Sequence, residues 1–420
     1  MTDPDWLAAG APHVWRPYCQ MKTARPPLPV VATRGSRLVL ADGRELVDGL
    51  ASWWTACHGY NHPHIAAALR EQIERMPHVM LGGLAHEPAY RLAERLASML
   101  PGDLNHVFFA ESGSVSVEIA MKMALQFHIN RGVAGRTKFL AFRGGYHGDT
   151  LATMTVCDPE EGMHSLFAGV MPAQVIADLP RDADGEAALD VLLAERGQEI
   201  AAILIEPLVQ GAGGMLLHSP EVLRVLRRLA DKHGVLLIFD EIFTGFGRTG
   251  TLFAMQAAGI EPDIVTLSKA LTGGTLPLSA AVASRKVFEA FWSDDAGAAL
   301  MHGPTYMANP LACAAANASL DLFEDGAWAA DVAQVGAALA EGLEPCREGK
   351  GVVDVRTLGA IGVVEFDAPV AVGELCARFA EWGAWIRPMG KVIYLTPAFT
   401  TPDEDLALLT SAVRKAAGVA

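Results

Sequence analysis

The chain has 420 residues, of which 51% are hydrophobic, and it carries a formal net charge of −15 at pH 7. This length exceeds what one ordinary hydrophobic core organises, so we expect one large domain and one smaller domain. A strongly acidic surface repels phosphate backbones and anionic lipids, which argues against nucleic acids and membranes as partners.

The cysteine pattern and the start of the chain bear on the cellular compartment. None of the six cysteines forms a Cys-x-x-Cys pair, so neither a zinc knuckle nor a redox motif is predicted, and no metal site is expected. The first residues lack the basic and apolar stretches of a signal peptide, and no apolar run approaches the roughly 18 residues of a membrane span. We therefore expect reduced thiols in a cytoplasmic protein.

The predicted elements begin with a β-hairpin over residues 37–48, which turns at an Asp-Gly dipeptide. Between residues 60 and 300, helical patterns alternate with short apolar runs. Helices are predicted over 63–76, 87–100, 114–131, 186–197 and 220–233, and strands over 106–110, 138–142, 201–205, 235–239 and 264–267. The last three strands are apolar throughout, as strands covered by helices on both faces are. The alternation predicts an α/β fold with a mostly parallel, doubly wound central sheet flanked by helices.

The chain changes character after about residue 310. An alanine-rich helix is predicted over 309–323, and strands over 351–358, 361–366 and 392–395, with a helix before the last strand. This mixture indicates a smaller α+β domain. We expect an N-terminal segment, 1–55, that joins the small domain, a large domain over 56–308, and the C-terminal small domain over 309–420.

Two glycine-containing segments could bind a phosphate group. Residues 245–250 match the G-x-G-x-x-G pattern of dinucleotide-binding folds, but Asp240 and Glu241 stand before them, where their charge would repel a pyrophosphate. Residues 111–118 join a predicted strand to a helix through small residues, and backbone N–H groups at a helix start bind anions. The second segment is the better candidate, although a plain serine N-cap gives the same pattern.

Lys269 and Asp240 each stand at the carboxyl end of an apolar strand, where α/β folds place their ligands. Desolvation lowers the pKa of a lysine and makes its neutral amine nucleophilic. A carboxylate at the end of a buried strand is suited to hold a protonated pyridine nitrogen. Together with a phosphate-binding helix start, these two residues are what pyridoxal-phosphate (PLP) chemistry requires.

Two motifs carry a resemblance to a known family. Residues 237–250, Leu-Ile-Phe-Asp-Glu-Ile-Phe-Thr-Gly-Phe-Gly-Arg-Thr-Gly, and residues 268–270, Ser-Lys-Ala, resemble the signature of the class III aminotransferases. These enzymes are fold-type I PLP-dependent transferases. The resemblance covers nearly the whole chain, and its motifs are specific to the family.

The resemblance implies roles for individual residues. The catalytic residues would be Lys269, which carries PLP covalently, Asp240, which keeps the pyridine nitrogen protonated, and Tyr146, which stacks on the ring. The other residues implied in cofactor binding are Gly113, Ser114, Ile242 and, from the other subunit of a homodimer, Pro304 and Thr305. The residues implied in substrate binding are Tyr18, Trp53, Trp54, Tyr146, Asp149, Arg248, Gly303 and Arg387.

Further segments narrow the resemblance to a subgroup that acts in biotin biosynthesis. They include the paired tryptophans at 53–54, residues 301–307 (Met-His-Gly-Pro-Thr-Tyr-Met) and residues 385–388 (Trp-Ile-Arg-Pro). The implied reaction transfers the amino group of S-adenosyl-L-methionine to 8-amino-7-oxononanoate and gives 7,8-diaminononanoate. Ala308 departs from the subgroup, which is expected to have a glycine there.

Three alternatives remain open at this point. A class III transaminase with an amino-acid donor, or an aminomutase on the same fold, would share Lys269 and Asp240. A dinucleotide-dependent oxidoreductase would rest on residues 245–250. A non-catalytic binding protein with the same fold would need neither the lysine nor the aspartate, and the presence of both argues against it.

Overall fold

The computed structural model describes residues 4–159, 165–167 and 169–419. Its α-helices are α1 (Asp5–Gly10), α2 (Ala51–Trp54), α3 (Pro63–Arg75), α4 (Glu87–Met99), α5 (Gly113–Asn130), α6 (Leu151–Thr155), α7 (Ala183–Arg196), α8 (Pro220–His233), α9 (Met255–Ala258), α10 (Arg285–Glu289), α11 (Pro310–Glu324), α12 (Trp328–Leu343), α13 (Val372–Glu381) and α14 (Asp403–Ala417). Its strands are β1 (Val30–Arg34), β2 (Arg37–Leu40), β3 (Glu45–Asp48), β4 (Leu104–Ala110), β5 (Lys138–Phe142), β6 (Val175–Ala177), β7 (Ile200–Ile205), β8 (Val209–Gln210), β9 (Leu216–Leu217), β10 (Leu236–Asp240), β11 (Ile264–Leu267), β12 (Ser279–Ser284), β13 (Val352–Leu358), β14 (Ile361–Phe366), β15 (Ala384–Trp385) and β16 (Val392–Leu395).

The chain folds into two compact units. One consists of residues 63–329, and the other of the residues up to 62 together with those from 330 onward. The domain boundaries predicted from the sequence, at residues 55 and 308, stay a prediction. Among the described residues, no helix is both long enough and apolar enough to cross a membrane.

The unit of residues 63–329 is built on a seven-stranded sheet in the order β4-β12-β11-β10-β7-β5-β6. From β11 to β6, each strand pairs in parallel with the next, whereas β12 runs antiparallel to both of its neighbours, β4 and β11. The predicted α/β class and the mostly parallel sheet are therefore confirmed. One antiparallel strand lies inside the sheet, which the sequence pattern did not indicate.

The strands at the centre of this sheet are buried along their whole length. Every residue of β7, β10, β11 and β12 is buried, which explains why three of them read as continuous apolar runs rather than alternating ones. The flanking helix α8 starts with Pro220 at its first turn and ends at Gly234, whose φ of 63° lies in the left-handed region that glycine adopts without strain.

The elements predicted between residues 60 and 300 are all present, and their ends differ from the prediction by at most three residues. Four strands in this range were not predicted from the sequence: β6, β8, β9 and β12. The longest of them, β12, has the sequence Ser-Ala-Ala-Val-Ala-Ser, and alanine and serine are not typical of strands. It becomes a strand because β4 and β11 flank it and supply hydrogen-bonding partners on both sides.

The other unit contains a four-stranded sheet, β1-β2-β3-β15, and a three-stranded sheet, β13-β14-β16. The predicted hairpin is confirmed, since β2 and β3 are antiparallel and Gly43 in their turn has a φ of 86°. β15 pairs in parallel with β3, and Trp385 lies opposite Asp48. The carboxyl ends of β3 and β15 therefore meet at one edge of the four-stranded sheet.

A buried carboxylate ties α14 to the start of β2. Asp405, in the first turn of α14, is only 1% exposed. It accepts a hydrogen bond from Ser36 Oγ at 2.5 Å and pairs with the guanidinium of Arg37. Because a buried carboxylate without partners is costly, these contacts hold the helix start against the strand.

We expect Asp405→Ala to lower the free energy of unfolding by about 2–3 kcal/mol, because it leaves Arg37 and Ser36 without their acceptor. Urea denaturation followed by circular dichroism measures the change. Glu404→Ala is the matched control, since Glu404 stands one residue earlier in α14 and is exposed. Equal stability of the two variants would contradict a stabilising role for the buried pair.

Candidate active site

Two neighbouring parallel strands bring an aspartate and a lysine to the same edge of the seven-stranded sheet. Asp240 is the last residue of β10 and pairs with Thr266 of β11. Lys269 follows the end of β11, in the short 3-10 helix Lys269–Thr272, and has a φ of 49°. A left-handed backbone is strained for a lysine, and such strain is common at functional positions.

The carboxylate of Asp240 is held by three donors. His147 Nδ1 lies 2.8 Å from Oδ2, and both side chains are buried. Oδ1 accepts from the backbone N–H of Ile242 at 3.1 Å and from Thr266 Oγ1 at 3.3 Å. An ionised carboxylate only accepts hydrogen bonds, so the imidazole Nδ1–H donates, and the aspartate is fixed in one orientation.

Lys269 is half-buried. Desolvation lowers the pKa of Lys269 to about 8, and the negative charges of Asp240 and Glu206 oppose this shift. The ring of Phe243 lies 5.9 Å from Nζ. Because desolvation disfavours the ammonium form, the neutral, nucleophilic amine forms at a lower pH than in an exposed lysine.

A third buried acid, Glu206, follows β7 and was not singled out from the sequence. Its two carboxylate oxygens accept backbone N–H groups of Tyr146 at 3.0 Å and Gly211 at 2.9 Å. Burial raises the pKa of Glu206 to about 7, against the opposing effects of His147 and the two backbone donors. The available signal was the same as for Asp240, namely a carboxylate directly after a wholly apolar strand.

The start of α5 is packed closely against two other segments. A Cβ on Gly113 would lie 3.0 Å from Cδ1 of Ile242, and one on Gly148 would lie 2.2 Å from Oγ of Ser114. The backbone N–H of Asp149 donates to Ser114 Oγ at 3.3 Å. The positive end of this 18-residue helix is therefore framed by small residues and backbone donors, as an anion-binding helix start is.

These groups fit PLP. The helix start suits its phosphate, the fixed carboxylate of Asp240 suits its pyridine nitrogen, and the amine of Lys269, with its lowered pKa, suits its aldehyde. Tyr146 belongs to the same loop as His147, and its hydroxyl donates to Asp149 Oδ1 at 2.8 Å. In the described part of the chain, no group of three or more His, Cys, Asp or Glu is arranged to hold a metal ion.

Residues 245–250 do not have the geometry of a dinucleotide-binding motif. The glycines of residues 245–250 are followed by α9, which has only four residues and so provides no long helix for a pyrophosphate. Glu241, before the motif, is buried and accepts the backbone N–H groups of Ala254 at 2.7 Å and Met255 at 2.8 Å. The motif therefore belongs to a tightly folded loop that is organised around a buried acid.

Two of the proposed substrate residues are buried. Arg248 lies in the loop after β10 and is 2% exposed. Trp54 is also buried, and its ring centroid lies 6.2 Å from that of Tyr394. Their roles as substrate contacts stay predictions.

Residues 301–308 are mostly accessible in the single chain. Gly303 and Thr305 are exposed, Pro304 is half-buried, and Lys122 Nζ donates to the carbonyl of Met301 at 2.9 Å. Ala308 is buried and has a φ of 51°. A glycine expected at this position would adopt that backbone without strain, so the departure seen in the sequence coincides with a strained residue.

The remaining substrate residues line a cavity in the other unit. Its volume is about 570 Å³, and it lies where β3 and β15 end. Tyr18 and Trp53 form part of its wall, with ring centroids 6.1 Å apart in an edge-to-face arrangement. Its positively charged lining residues are Arg16, Arg25 and Arg387. Among the described residues that line it, none is acidic, so the cavity suits an anionic group attached to an apolar body.

The family model for class III aminotransferases matches residues 18–417. A Mycobacterium leprae protein named adenosylmethionine-8-amino-7-oxononanoate aminotransferase is 46% identical over 421 residues, covering 98% of this chain and 96% of that protein. A Corynebacterium glutamicum protein of the same name is 45% identical over 409 residues, with 96% of each chain covered.

Solved structures of transaminases resemble this chain over nearly its whole length. The crystal structure of an adenosylmethionine-8-amino-7-oxononanoate aminotransferase from Methanocaldococcus jannaschii superposes with a TM-score of 0.92 at 29% identity, covering 98% of both chains. An amine transaminase from an uncultivated Pseudomonas species, in a PLP-bound form, gives a TM-score of 0.89 at 32% identity, covering 96% of this chain and 98% of that one.

The lowered pKa of Lys269 predicts how the apoprotein captures PLP. Only the neutral amine attacks the aldehyde, so the capture rate should rise with pH and level off above about 8. Stopped-flow absorbance measures this rate, and borohydride reduction followed by digestion locates the modified lysine. Lys269→Ala serves as the control and should show no covalent capture. A rate that still rises at pH 10, or a pyridoxyl group on another lysine, would contradict this assignment.

Proposed function

This chain belongs to the class III aminotransferase family, and we propose that it transfers the amino group of S-adenosyl-L-methionine to 8-amino-7-oxononanoate in biotin biosynthesis. The chain is a PLP-dependent transaminase, and the product would be 7,8-diaminononanoate. The observation that carries the class of reaction is the position of buried Asp240 and half-buried Lys269 at the carboxyl ends of adjacent strands. The choice of substrates is supported by the names of relatives that are 45% and 46% identical over nearly the whole chain.

Asp240 and Lys269 would have different roles in the reaction. When bound, PLP supplies an electron-withdrawing ring that stabilises the negative charge left on the carbon that bears the amino group. Asp240, fixed by His147, holds the proton on the pyridine nitrogen. The Nζ amine of Lys269 would act as the general base that takes the proton from that carbon, becoming an ammonium group as it does so.

The start of α5 and the loop over 146–149 would hold the cofactor in place. Gly113 and Ser114 would present their backbone N–H groups to the phosphate. Ile242 packs beside Gly113 and would cover one face of the ring. Tyr146 would cover the other face, and its hydroxyl is already oriented by Asp149. A ring clamped between two side chains keeps its reactive bond in one orientation.

The cavity lined by Tyr18, Trp53 and Arg387 would bind the substrates in turn. A guanidinium grips a carboxylate through two parallel hydrogen bonds, which suits the acid end of 8-amino-7-oxononanoate. The aromatic walls suit both an adenine ring and an aliphatic chain, which the two half-reactions require of one cavity. Asp149, Arg248, Gly303 and Trp54 are proposed as further substrate contacts on the resemblance alone.

The enzyme would work as a homodimer in the cytoplasm. Large apolar side chains are exposed close to the segment with Pro304 and Thr305: Trp292 and Met301 are each 78% exposed, and Tyr306 is 56% exposed. Exposed apolar groups of this size are typical of protein interfaces. In the proposed dimer, Pro304 and Thr305 reach the cofactor phosphate of the other subunit. None of the six cysteines forms a disulfide within the described chain, as is usual in a reducing compartment.

The two half-reactions can be followed separately by the PLP spectrum. S-adenosyl-L-methionine should bleach the cofactor absorbance, and 8-amino-7-oxononanoate should restore it. Arg387→Ala should slow the keto-acid half-reaction by roughly 10- to 100-fold, because it removes a charged hydrogen bond worth about 1.5–3 kcal/mol. If Arg387 makes no contact in the donor complex, the donor half-reaction should change much less.

Arg44→Ala is the control, since Arg44 is exposed and pairs with Asp42 in the β2–β3 turn. Equal damage to both half-reactions by Arg387→Ala would indicate a structural arginine. If S-adenosyl-L-methionine fails to bleach the cofactor while lysine, glutamate or a simple amine succeeds, the donor assignment is wrong and another class III transaminase activity replaces it.

Mixing two inactive variants tests the shared active site. Lys269→Ala lacks the amine, and Thr305→Arg should block phosphate binding in the neighbouring subunit. A hybrid dimer would hold one intact site, made of Lys269 from one chain and Thr305 from the other. Random mixing should then restore roughly a quarter of the wild-type activity. If Thr305 serves its own subunit, or if sedimentation shows a fully active monomer, no restoration will occur and the proposal is wrong.

A further inference from the structure

A run of four residues without glycine adopts a left-handed backbone. Ala51, Ser52, Trp53 and Trp54, which form α2, have φ angles of 44°, 50°, 58° and 72°. In this region the Cβ of an L-residue crowds the following carbonyl oxygen, so left-handed turns of side-chain-bearing residues are strained. A strained run of this length persists only if its surroundings hold it firmly.

The contacts that hold this turn converge on one buried carboxylate. Asp48 Oδ1 accepts the backbone N–H of Leu50 at 2.9 Å, and Oδ2 accepts the backbone N–H of Ser52 at 2.8 Å. The hydroxyl of Tyr60 donates to the same Oδ2 at 2.5 Å. Burial raises the pKa of Asp48, while these three donors favour the charged carboxylate and lower it.

The far end of the turn is fixed as well. The backbone N–H of Trp54 donates to the carbonyl of Leu50 at 2.8 Å, and Thr55 Oγ1 donates to the carbonyl of Ser52 at 3.0 Å. The ring of Trp54 is buried near Tyr394. Between these anchors, Trp53 is 41% exposed, so the strained turn buries one tryptophan and presents the other.

The presented tryptophan lines the arginine-containing cavity. Ser52 and Trp53 are both part of its wall. The opposite partner of Asp48 across the β3–β15 pair is Trp385, and Arg387 follows two residues later in the same cavity lining. Asp48 therefore stands where the strand pair, the turn and the cavity wall meet.

We propose that Asp48 and Tyr60 are positioning residues: through the left-handed turn, they hold Trp53 as a wall of this cavity and so set the affinity for a long-chain keto acid that carries a carboxylate. The identity of the bound substrate rests on the proposed function, whereas the role of Asp48 and Tyr60 in holding the turn does not rest on it. Trp53 itself would contact the substrate, whereas Asp48 and Tyr60 act only through it.

Tyr60→Phe and Asp48→Asn test the proposal in the holoenzyme. The phenylalanine variant keeps the ring and removes one donor, and the asparagine variant places an N–H₂ group against an N–H donor. Each should raise the KM for 8-amino-7-oxononanoate roughly tenfold, as expected for losing one buried hydrogen bond, and leave kcat nearly unchanged. Tyr90→Phe is the matched control, because Tyr90 is exposed on α4.

A rescue variant separates positioning from general packing. Ala51→Gly places in the turn a residue that adopts positive φ without strain, so it should restore part of the lost affinity in the Tyr60→Phe background. Near-ultraviolet circular dichroism reports on the environment of the tryptophan rings and needs no substrate. The spectrum of Tyr60→Phe should differ from that of the wild type. This difference should largely disappear when Trp53→Phe is added to both the wild type and Tyr60→Phe.

The outcomes are distinguishable. An unchanged KM, an unchanged tryptophan spectrum, or a failure of Ala51→Gly to restore any of the loss would each overturn the positioning role. If the wild-type enzyme does not use 8-amino-7-oxononanoate, the proposed function fails. The spectral comparison and its dependence on Trp53 then still decide whether Asp48 and Tyr60 hold the turn.

Discussion

The burial of ionisable groups at the carboxyl edge of the central sheet constrains the rest of the active-site architecture. Asp240 ends β10, and Glu206 and Lys269 follow β7 and β11. A buried charge is tolerated only with partners. The loop over 144–149 supplies them: the backbone N–H of Tyr146 binds Glu206, and His147 binds Asp240. The same loop passes so close to Ser114 that only glycine fits at 148. One loop thus couples the acid network to the start of α5.

Backbone strain occurs at several of the positions with predicted roles. Lys269 has a φ of 49°, and the turn that presents Trp53 is left-handed over four residues. The strain is supported in different ways. Lys269 lies at the buried carboxyl end of the sheet, whereas one side of the turn is held by hydrogen bonds to the carboxylate of Asp48. A strained segment is sensitive to substitution of the groups that hold it, which makes its role accessible to experiment.

The charge of the cavity is opposite to that of the whole protein. The chain carries a net charge of −15, yet the cavity bears Arg16, Arg25 and Arg387, and no acidic residue is found among its described lining. A cleft sets its own local field, because nearby charges in a low-dielectric wall outweigh distant ones that water screens. An acidic enzyme can therefore select an anionic substrate, and its net charge gives no information about that preference.

The sequence by itself determined the local elements and the chemistry-bearing residues at strand ends. Continuous apolar runs located β10 and β11, and hydrophobic periodicity located the helices around them. The Asp-Gly dipeptide located the β2–β3 turn, and the position of Lys269 and Asp240 at the ends of apolar strands indicated the cofactor. These features depend on neighbours in the chain, which a sequence displays directly.

The tertiary structure decided what depends on partners distant in the chain. β12 forms from alanine and serine because β4 and β11 flank it. His147 contacts Asp240, which lies 93 residues further along the chain, so no local sequence pattern predicts this contact. The left-handed turn contains no glycine, and the Asp48 carboxylate that holds its Ser52 N–H also accepts from Tyr60, 12 residues further along the chain. For β12, contacts with strands distant in the sequence override local propensity, and such contacts exist only once the chain has folded.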